Sequence, residues 1–243
     1  MAPTLRKFLI VGTSHVGAIR RAASTLEKQG KELAKIACLH LREKRYEDCF
    51  GDDNDEFTGA LAEDIARHVE DGFELVSCIG GNAYNILGLV ESEQPFDFIY
   101  ETNSSSPQRE LIPLSIVRTA ILRRDRRYLQ WIAALAKFGP VHHIFSPPPV
   151  RSSEYILEHA EDVFQRFGVY ELGVTPANIR LKLWRLQCEI QTEFLSGSGV
   201  TCITPPDRVR DGDGFLLEDF AARDASHGNT KYGKHVISYC ASI

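Results

Sequence analysis

Four polar side chains in this sequence have the types that acyl transfer requires, and they come from three segments that lie far apart along the chain. Ser14 offers a hydroxyl that could act as a nucleophile, and His227 could act as its base. Asp224 lies three residues before His227, so in a helical turn its carboxylate could hold the imidazole. Asn82 could donate an amide N–H to an oxyanion. The combination indicates attack of a serine on a carbonyl carbon.

Each of these residues follows a segment that we predict to be a β-strand. Ser14 and Asn82 come directly after apolar runs, and the segment 224–227 follows the fifth predicted strand. The carboxyl ends of parallel strands meet at one edge of a sheet, and ligands bind there. The predicted strands are 8–11, 36–41, 73–79, 141–145 and 200–203, with a possible short strand at 96–100.

Taken one at a time, these residues also have ordinary structural interpretations. A helical pattern begins just after Ser14, so its hydroxyl could cap that helix, which is the more common role. Asn82 follows two glycines and could be a turn residue with positive φ. His227 could be a surface histidine and Asp224 a helix cap. Their joint occurrence after three predicted strands favours a site.

The three segments resemble, in order and in spread, the sequence blocks of the SGNH (GDSL-type) serine hydrolase superfamily. The run 12–15, Gly-Thr-Ser-His, resembles the block that contains the nucleophile, and 80–82, Gly-Gly-Asn, resembles the block that donates to the oxyanion. The run 224–227, Asp-Ala-Ser-His, resembles the block with the acid and the base. Thr13 and Ala83 stand where the family usually has aspartate.

The resemblance implies a site and a fold. Ser14 would be the nucleophile, His227 and Asp224 the base and its partner, and Asn82 an oxyanion donor. A glycine N–H would complete the oxyanion hole, for which we expect Gly59, with Gly51 as the alternative. The implied fold is a three-layer α/β/α, flavodoxin-like domain with a five-stranded parallel sheet in the order 2-1-3-4-5.

The alternation of elements independently predicts a single α/β domain over residues 1–243. Strands alternate with helical patterns, which is typical of a parallel sheet. We expect helices at 16–28, 60–69, an arginine-rich stretch near 116–127, 128–137, 154–167 and 232–239, and one that begins at Pro176 with Thr175 as its cap. Residues 42–57 and 102–110 are predicted loops.

Composition restricts the function further. The chain has 243 residues and a formal net charge of −5, which argues against a general nucleic-acid binder. No apolar stretch approaches the roughly 20 residues that span a bilayer, and the first strand begins without a signal peptide, so we expect a cytoplasmic protein without a membrane partner. We expect no cofactor and no metal. The six cysteines are scattered, and we expect free thiols.

Two other function classes remain open. Gly12-x-Ser14-x-x-Gly17 resembles a dinucleotide-binding loop without its middle glycine, and Arg42 or Glu43 could then contact a ribose. A catalytically silent binding module on the same fold is the other alternative. An α/β-hydrolase is disfavoured because Val16 stands where its nucleophile elbow needs glycine.

The expected substrate is a small-molecule or carbohydrate ester. A serine esterase or deacylase that removes a short acyl group, acetyl first, fits because residues 83–127 are rich in polar side chains. Arg151 is a further candidate substrate contact. Five arginines form a cluster in the arginine-rich stretch: Arg118, Arg123, Arg124, Arg126 and Arg127. Such a cluster is ordinarily a solvated helix face, and a binding site for an anionic group of the substrate is the less common interpretation. Oligomeric state, and hydrolysis versus acyl transfer, stay open.

Overall fold

A computed structural model of the chain describes residues 5–100 and 108–242. The strands in this part of the chain are β1 (Lys7–Gly12), β2 (Lys35–His40), β3 (Glu74–Cys78), β4 (Phe96–Asp97), β5 (Glu110–Leu111), β6 (Val141–Ile144) and β7 (Val200–Ile203). The helices are α1 (Val16–Lys28), α2 (Gly59–Glu70), α3 (Ala83–Gly88), α4 (Leu114–Leu135), α5 (Ser153–Glu158), α6 (Asp162–Arg166), α7 (Val169–Leu172), α8 (Ala177–Leu195) and α9 (Thr230–Cys240).

Five of the described strands form one parallel sheet in the order β2-β1-β3-β6-β7. Numbered by their own order along the chain, these strands have the order 2-1-3-4-5, which confirms the predicted topology. The order reverses at β1 and β3, where the polar turns after these two strands lie side by side. This is the switch point at which open parallel sheets form ligand clefts.

Helices cover both faces of this sheet, so the domain has three layers. Alternate residues of β1 point to opposite faces. Leu9 and Val11 pack in the core with α2 and α4, whereas Phe8 and Ile10 pack in the core with α1 and α9. None of the helices described is long and apolar enough to span a bilayer. All six cysteines are free thiols, as predicted.

The arginine-rich stretch differs from the prediction. It belongs to α4, a continuous helix of 22 residues, rather than to a segment separate from a helix at 128–137. Its buried stripe runs through Ile121, Asp125 and Leu129. The charged Asp125 interrupts the apolar pattern in the sequence, although its side chain faces inward like its apolar neighbours.

Other boundaries also shift. The predicted helix 154–167 is two short helices, α5 and α6, separated by a turn that contains Glu161. The possible strand at 96–100 has only two residues in β4, which pair with β5. Pro176 is the cap of α8 rather than its first residue, so Thr175 lies before the cap. Loop 42–57 contains a short 3-10 turn, Lys44–Tyr46. Residues 102–107 of the other predicted loop lie outside the described residues.

Candidate active site

A cleft of about 650 Å³ lies at the carboxyl ends of the central strands, and Ser14, Asn82 and His227 all line it. These residues come from the turn after β1, the turn after β3 and the segment before α9. Asp224 contacts His227 from behind. The structure therefore brings together the residues predicted from the three sequence blocks.

Ser14 is exposed in the turn between β1 and α1. His15, not Ser14, occupies the N-cap position of α1, and no side chain caps that helix. Within the described residues the Ser14 hydroxyl has no hydrogen-bond partner. The capping interpretation therefore does not apply to Ser14, and its hydroxyl is free to react with a molecule in the cleft.

His227 and Asp224 form the predicted pair. The Nδ1 atom of His227 lies 3.1 Å from Oδ1 of Asp224, and this oxygen also accepts the main-chain N–H groups of Ser226 and His227. Burial alone would lower the pKa of His227, but the hydrogen bond and charge of Asp224 raise the pKa above its usual value. Burial favours neutral Asp224, yet His227 and the N–H donors hold the pKa of this carboxyl below its usual range.

A second carboxylate, Glu161, supports the same imidazole. Its Oε1 atom lies 3.9 Å from Nδ1 of His227 and accepts a 2.6 Å hydrogen bond from the Ser226 hydroxyl, which itself lies 3.0 Å from Nδ1. Its other oxygen accepts the N–H of Ala225. The sequence analysis missed Glu161 because it lies in a turn more than 60 residues away, with no local pattern to mark it.

The same three groups could in principle hold a cation. One ligand atom each from Glu161, Asp224 and His227 lies within 4.8 Å of the others. The carboxylate oxygens already accept hydrogen bonds from Ser226 and from main-chain N–H groups, however. These hydrogen bonds account for the arrangement of the carboxylates around the imidazole.

His15 packs against His227 and fixes one side of its ring. The two ring centroids are 4.9 Å apart, with an angle of 49° between the planes. Burial, together with the nearby His227, lowers the pKa of His15 to about 3, so His15 is neutral at ordinary pH. Neither of its ring nitrogens has a partner among the described residues. Its position next to Ser14 was the available signal for this role.

The turn that presents Asn82 is tightly constrained. Gly80 and Gly81 have φ angles of +72° and +89°, which side-chain-bearing residues rarely adopt. A Cβ on Gly80 would come within 2.6 Å of the Cβ of Tyr128, and one on Gly81 within 2.7 Å of Ser146. The N–H of Gly80 also donates to Thr13 Oγ1 at 3.4 Å, so Thr13 links this turn to the one carrying Ser14.

Asn85 orients the side chain of Asn82. The Asn85 amide donates to the Oδ1 atom of Asn82 at 2.7 Å, which leaves the Nδ2 group of Asn82 available as a donor. Asn85 is buried in the first turn of α3. A single asparagine in a short helix gave no signal in the sequence, since its role depends on the fold of the preceding turn.

Three other predicted site residues do not line the cleft. Gly59 begins α2 and lies near Cys49, and Gly51 lies in the preceding loop against Glu56. Arg151 forms ion pairs with Asp211 and Asp213 and lines a separate cavity. These carboxylates hold its guanidinium, and Arg151 is not among the residues that line the cleft with Ser14.

Four arginines line the cleft as well, and we call their side chains the arginine wall: Arg42, Arg123, Arg124 and Arg127. Arg42 follows β2, and the others lie on α4. Glu43, the alternative ribose contact, forms ion pairs with Arg20 and Arg45. Arg118 pairs with Glu189 and Glu193 outside the cleft.

No family model matches this chain, and no curated protein matches it. Several solved structures are similar to it, among them these three. One, from Streptococcus pneumonia, is described as a candidate platelet activating factor, with 11% identity, TM-score 0.47, and coverage of 100% of this chain and 85% of that one. A GDSL-like lipase from Bacteroides thetaiotaomicron has 9% identity, TM-score 0.45 and coverage of 98% and 86%. The periplasmic domain of a lipopolysaccharide acetyltransferase from Salmonella ser. Paratyphi A has 9% identity, TM-score 0.42 and coverage of 97% and 83%.

Proposed function

We propose that this protein is a serine esterase or deacylase that removes a short acyl group, acetyl first, from a polar alcohol. The observation that carries the proposal is the cleft shared by Ser14, Asn82 and His227, with Asp224 bonded to the far nitrogen of the imidazole. A nucleophile, a base held by a carboxylate, and an amide donor are the groups that acyl transfer needs.

In the proposed reaction, Ser14 Oγ attacks the ester carbonyl carbon while His227 Nε2 takes its proton. Asp224 keeps the other imidazole N–H in place, because its carboxylate accepts from Nδ1. The Nδ2 group of Asn82 and the main-chain N–H of Ser14 donate to the oxyanion. His227 returns the proton to the leaving alcohol as the C–O bond breaks. Water then attacks the acyl-Ser14 ester while His227 takes a proton from it, and His227 returns this proton to Ser14 Oγ as the C–O bond breaks and the acid is released.

The lining of the cleft supports a short acyl group and a polar alcohol. Ala83, Ile86, Val163 and Phe164 are the apolar aliphatic and phenylalanine residues of the lining, and most of the other lining residues are polar or charged. Four apolar side chains offer a long acyl chain limited contact, since burial stabilises by about 25 cal/mol per Å². We expect p-nitrophenyl acetate to be hydrolysed faster than longer esters. A preference for eight carbons or more would contradict the short-acyl part of the proposal.

The direct test is covalent labelling of Ser14. A fluorophosphonate probe should modify wild-type protein, with the adduct located on Ser14 by mass spectrometry. Ser14→Ala should lose both the label and the turnover of p-nitrophenyl acetate, and it should keep its fold because the residue is exposed in a turn. A Ser14→Ala protein with full activity would remove Ser14 from the mechanism. Absence of labelling together with NADH binding would favour the dinucleotide alternative.

A further inference from the structure

Among the residues that the structure describes, the arginine wall has no carboxylate partner of its own. Within the described residues, none of Arg42, Arg123, Arg124 and Arg127 forms an ion pair, whereas Arg118 on the same helix pairs with two glutamates. Asp125, the carboxyl nearest to them in sequence, is buried and accepts from Gln191. Burial raises the pKa of Asp125 to about 7, so its charge is partly lost at neutral pH.

Spacing on α4 places these charges on one continuous surface. Residues four apart on a helix are neighbours, so Arg123 lies beside Arg127, and Arg124 lies beside Tyr128. Arg127 stacks over the Tyr128 and Trp131 rings at 5.3 and 5.1 Å, and Arg42 donates to the Tyr128 hydroxyl at 3.2 Å. Like charges at this spacing repel each other, and a bound anion would remove that repulsion.

Tyr128 also joins the wall to the reacting groups. A Cβ on Gly80 would meet the Tyr128 side chain at 2.6 Å, so α4 packs directly against the turn that carries Asn82. The helix comes from one face of the sheet, and the His227 segment precedes α9 on the other face. A molecule in the cleft would therefore lie between the arginines and the carboxylates, Glu161 and Asp224, that support His227.

We propose that the arginine wall binds a phosphate monoester group on the alcohol part of the substrate. This inference rests on the proposed esterase function and names its substrate class. Guanidinium groups bind phosphate through paired N–H donors. Four such groups without counter-charges suit a dianion with three terminal oxygens better than a single carboxylate. Repulsion from Glu161 and Asp224 would keep the phosphate away from His227 and so turn the ester toward Ser14.

The test compares two esters that differ only in the proposed feature. We expect 4-acetoxybenzyl phosphate to have kcat/KM about 10²-fold above that of 4-acetoxybenzyl alcohol, which carries the same phenyl acetate without the phosphate, because charge-assisted hydrogen bonds are stronger than neutral ones. The methyl phosphodiester of the same ester, a monoanion, should fall between them. A faster diester would show that the cleft takes phosphate from a lipid headgroup or polymer rather than from a monoester, and would overturn the proposal.

A matched arginine on the same helix serves as the control. Arg124→Ala/Arg127→Ala should reduce the preference for the phosphate ester about 10-fold or more, and Arg126→Ala, which changes an exposed arginine outside the cleft, should keep it. Alanine is the best helix former, so α4 should persist, and circular dichroism checks this. The preference should also fall as salt is raised, because the arginines are exposed. Equal preferences in all three proteins would overturn the proposal.

Calorimetry with phenyl phosphate separates this inference from the esterase proposal. Binding to the wild type that is lost in Arg124→Ala/Arg127→Ala and kept in Arg126→Ala supports the phosphate site, even where no ester is hydrolysed. Turnover of p-nitrophenyl acetate without phenyl phosphate binding or any preference for the phosphate ester supports the esterase and refutes the site. Benzoate binding as tightly as phenyl phosphate would also refute it, because the site would then not distinguish a dianion.

Discussion

The two sides of the cleft are built in opposite ways. Around His227, the polar atoms of Asp224, Ser226 and Glu161 are bonded to one another and to main-chain N–H groups. In the arginine wall, charged groups of one sign lie side by side without carboxylate partners in the described chain. The difference suggests a division of labour. Under the proposed function, the groups that would move a proton are held by hydrogen bonds within the protein, and the groups that would select the substrate are left for the ligand.

The largest expected effect is on the side of His227. Asp224→Asn should lower kcat for p-nitrophenyl acetate by about 10⁴-fold, because the amide no longer holds the reactive tautomer, and His227→Ala should be at least as damaging. His235→Ala is the matched control, since His235 lies on α9 against Phe220 and away from the cleft. If substitutions at 224 and 227 lower kcat no more than substitutions in the arginine wall do, the proposed difference in role between the two sides of the cleft would be refuted.

The next effect concerns the oxyanion donor and its support. Asn82→Ala should lower kcat about 10²–10³-fold with little change in KM, since the donor acts mainly in the transition state. Asn85→Ala should lower kcat about 10-fold, because it acts by holding the Oδ1 atom of Asn82. In the double variant the two losses should not add. Additive losses would show that Asn85 stabilises the fold rather than positions the amide.

A smaller effect is expected from Glu161, visible mainly in the pH profile. His227 must be neutral to accept a proton, so activity should rise with pH through a pKa above about 6.5. Glu161 helps to raise that pKa, so Glu161→Gln should move the acid limb to lower pH and change the plateau kcat by about threefold or less. Glu158→Gln changes an exposed glutamate nearby and should leave the profile in place. An unshifted limb in Glu161→Gln would assign the carboxylate a purely structural role.

The smallest effect is on stability in acid. His15 and His143 have pKa values lowered to about 3 and about 4 by burial, whereas unfolded histidine titrates near about 6.5. The unfolded chain therefore binds more protons below that pH, and stability should fall as pH falls from about 6.5 to 4. Asp125 has a raised pKa in the folded protein, so in this pH range its folded form binds one proton that its unfolded form does not, which opposes the trend.

Thermal melts at several pH values measure this slope. A histidine that binds a proton in the unfolded chain but not in the folded one contributes about 1.4 kcal/mol per pH unit to the slope of the unfolding free energy against pH. Replacing that histidine removes the contribution. His15→Phe should therefore melt with a flatter pH dependence than wild type below pH 6.5. Parallel curves for the two proteins would mean that His15 is not buried in its neutral form.

The sequence was sufficient for the sheet and for the residues that follow its strands. Apolar runs identified β1 and β3, and the polar residues after them had to meet once the strands were parallel. Glu161 and Asn85 could not be found this way. Glu161 reaches Ser226 through a contact between distant segments, and Asn85 matters only because Gly80 and Gly81 bend the chain before it.

The arginine-rich helix shows how a buried charge can mislead pattern analysis. Asp125 occupies a core position of α4, so the apolar periodicity breaks at the point where Arg123, Arg124 and Arg127 surround it. The sequence analysis placed an arginine-rich stretch near 116–127 and a separate helix at 128–137, where the structure has one helix. The buried carboxyl is accommodated by Gln191 on α8, a partner that no local pattern reveals.

The continuity of α4 has a mechanical consequence. A helix of 22 residues is about 33 Å long, and its continuous main-chain hydrogen bonds make it a stiff element. Because Tyr128 packs against Gly80, an anion that binds Arg124 or Arg127 would also restrain the turn that carries Asn82. Binding of phenyl phosphate to the arginine wall would then slow amide hydrogen exchange at Gly80 and Gly81. Any redesign of α4 to accept a substrate with a different alcohol would alter the stiffness of the turn that carries Asn82 as well.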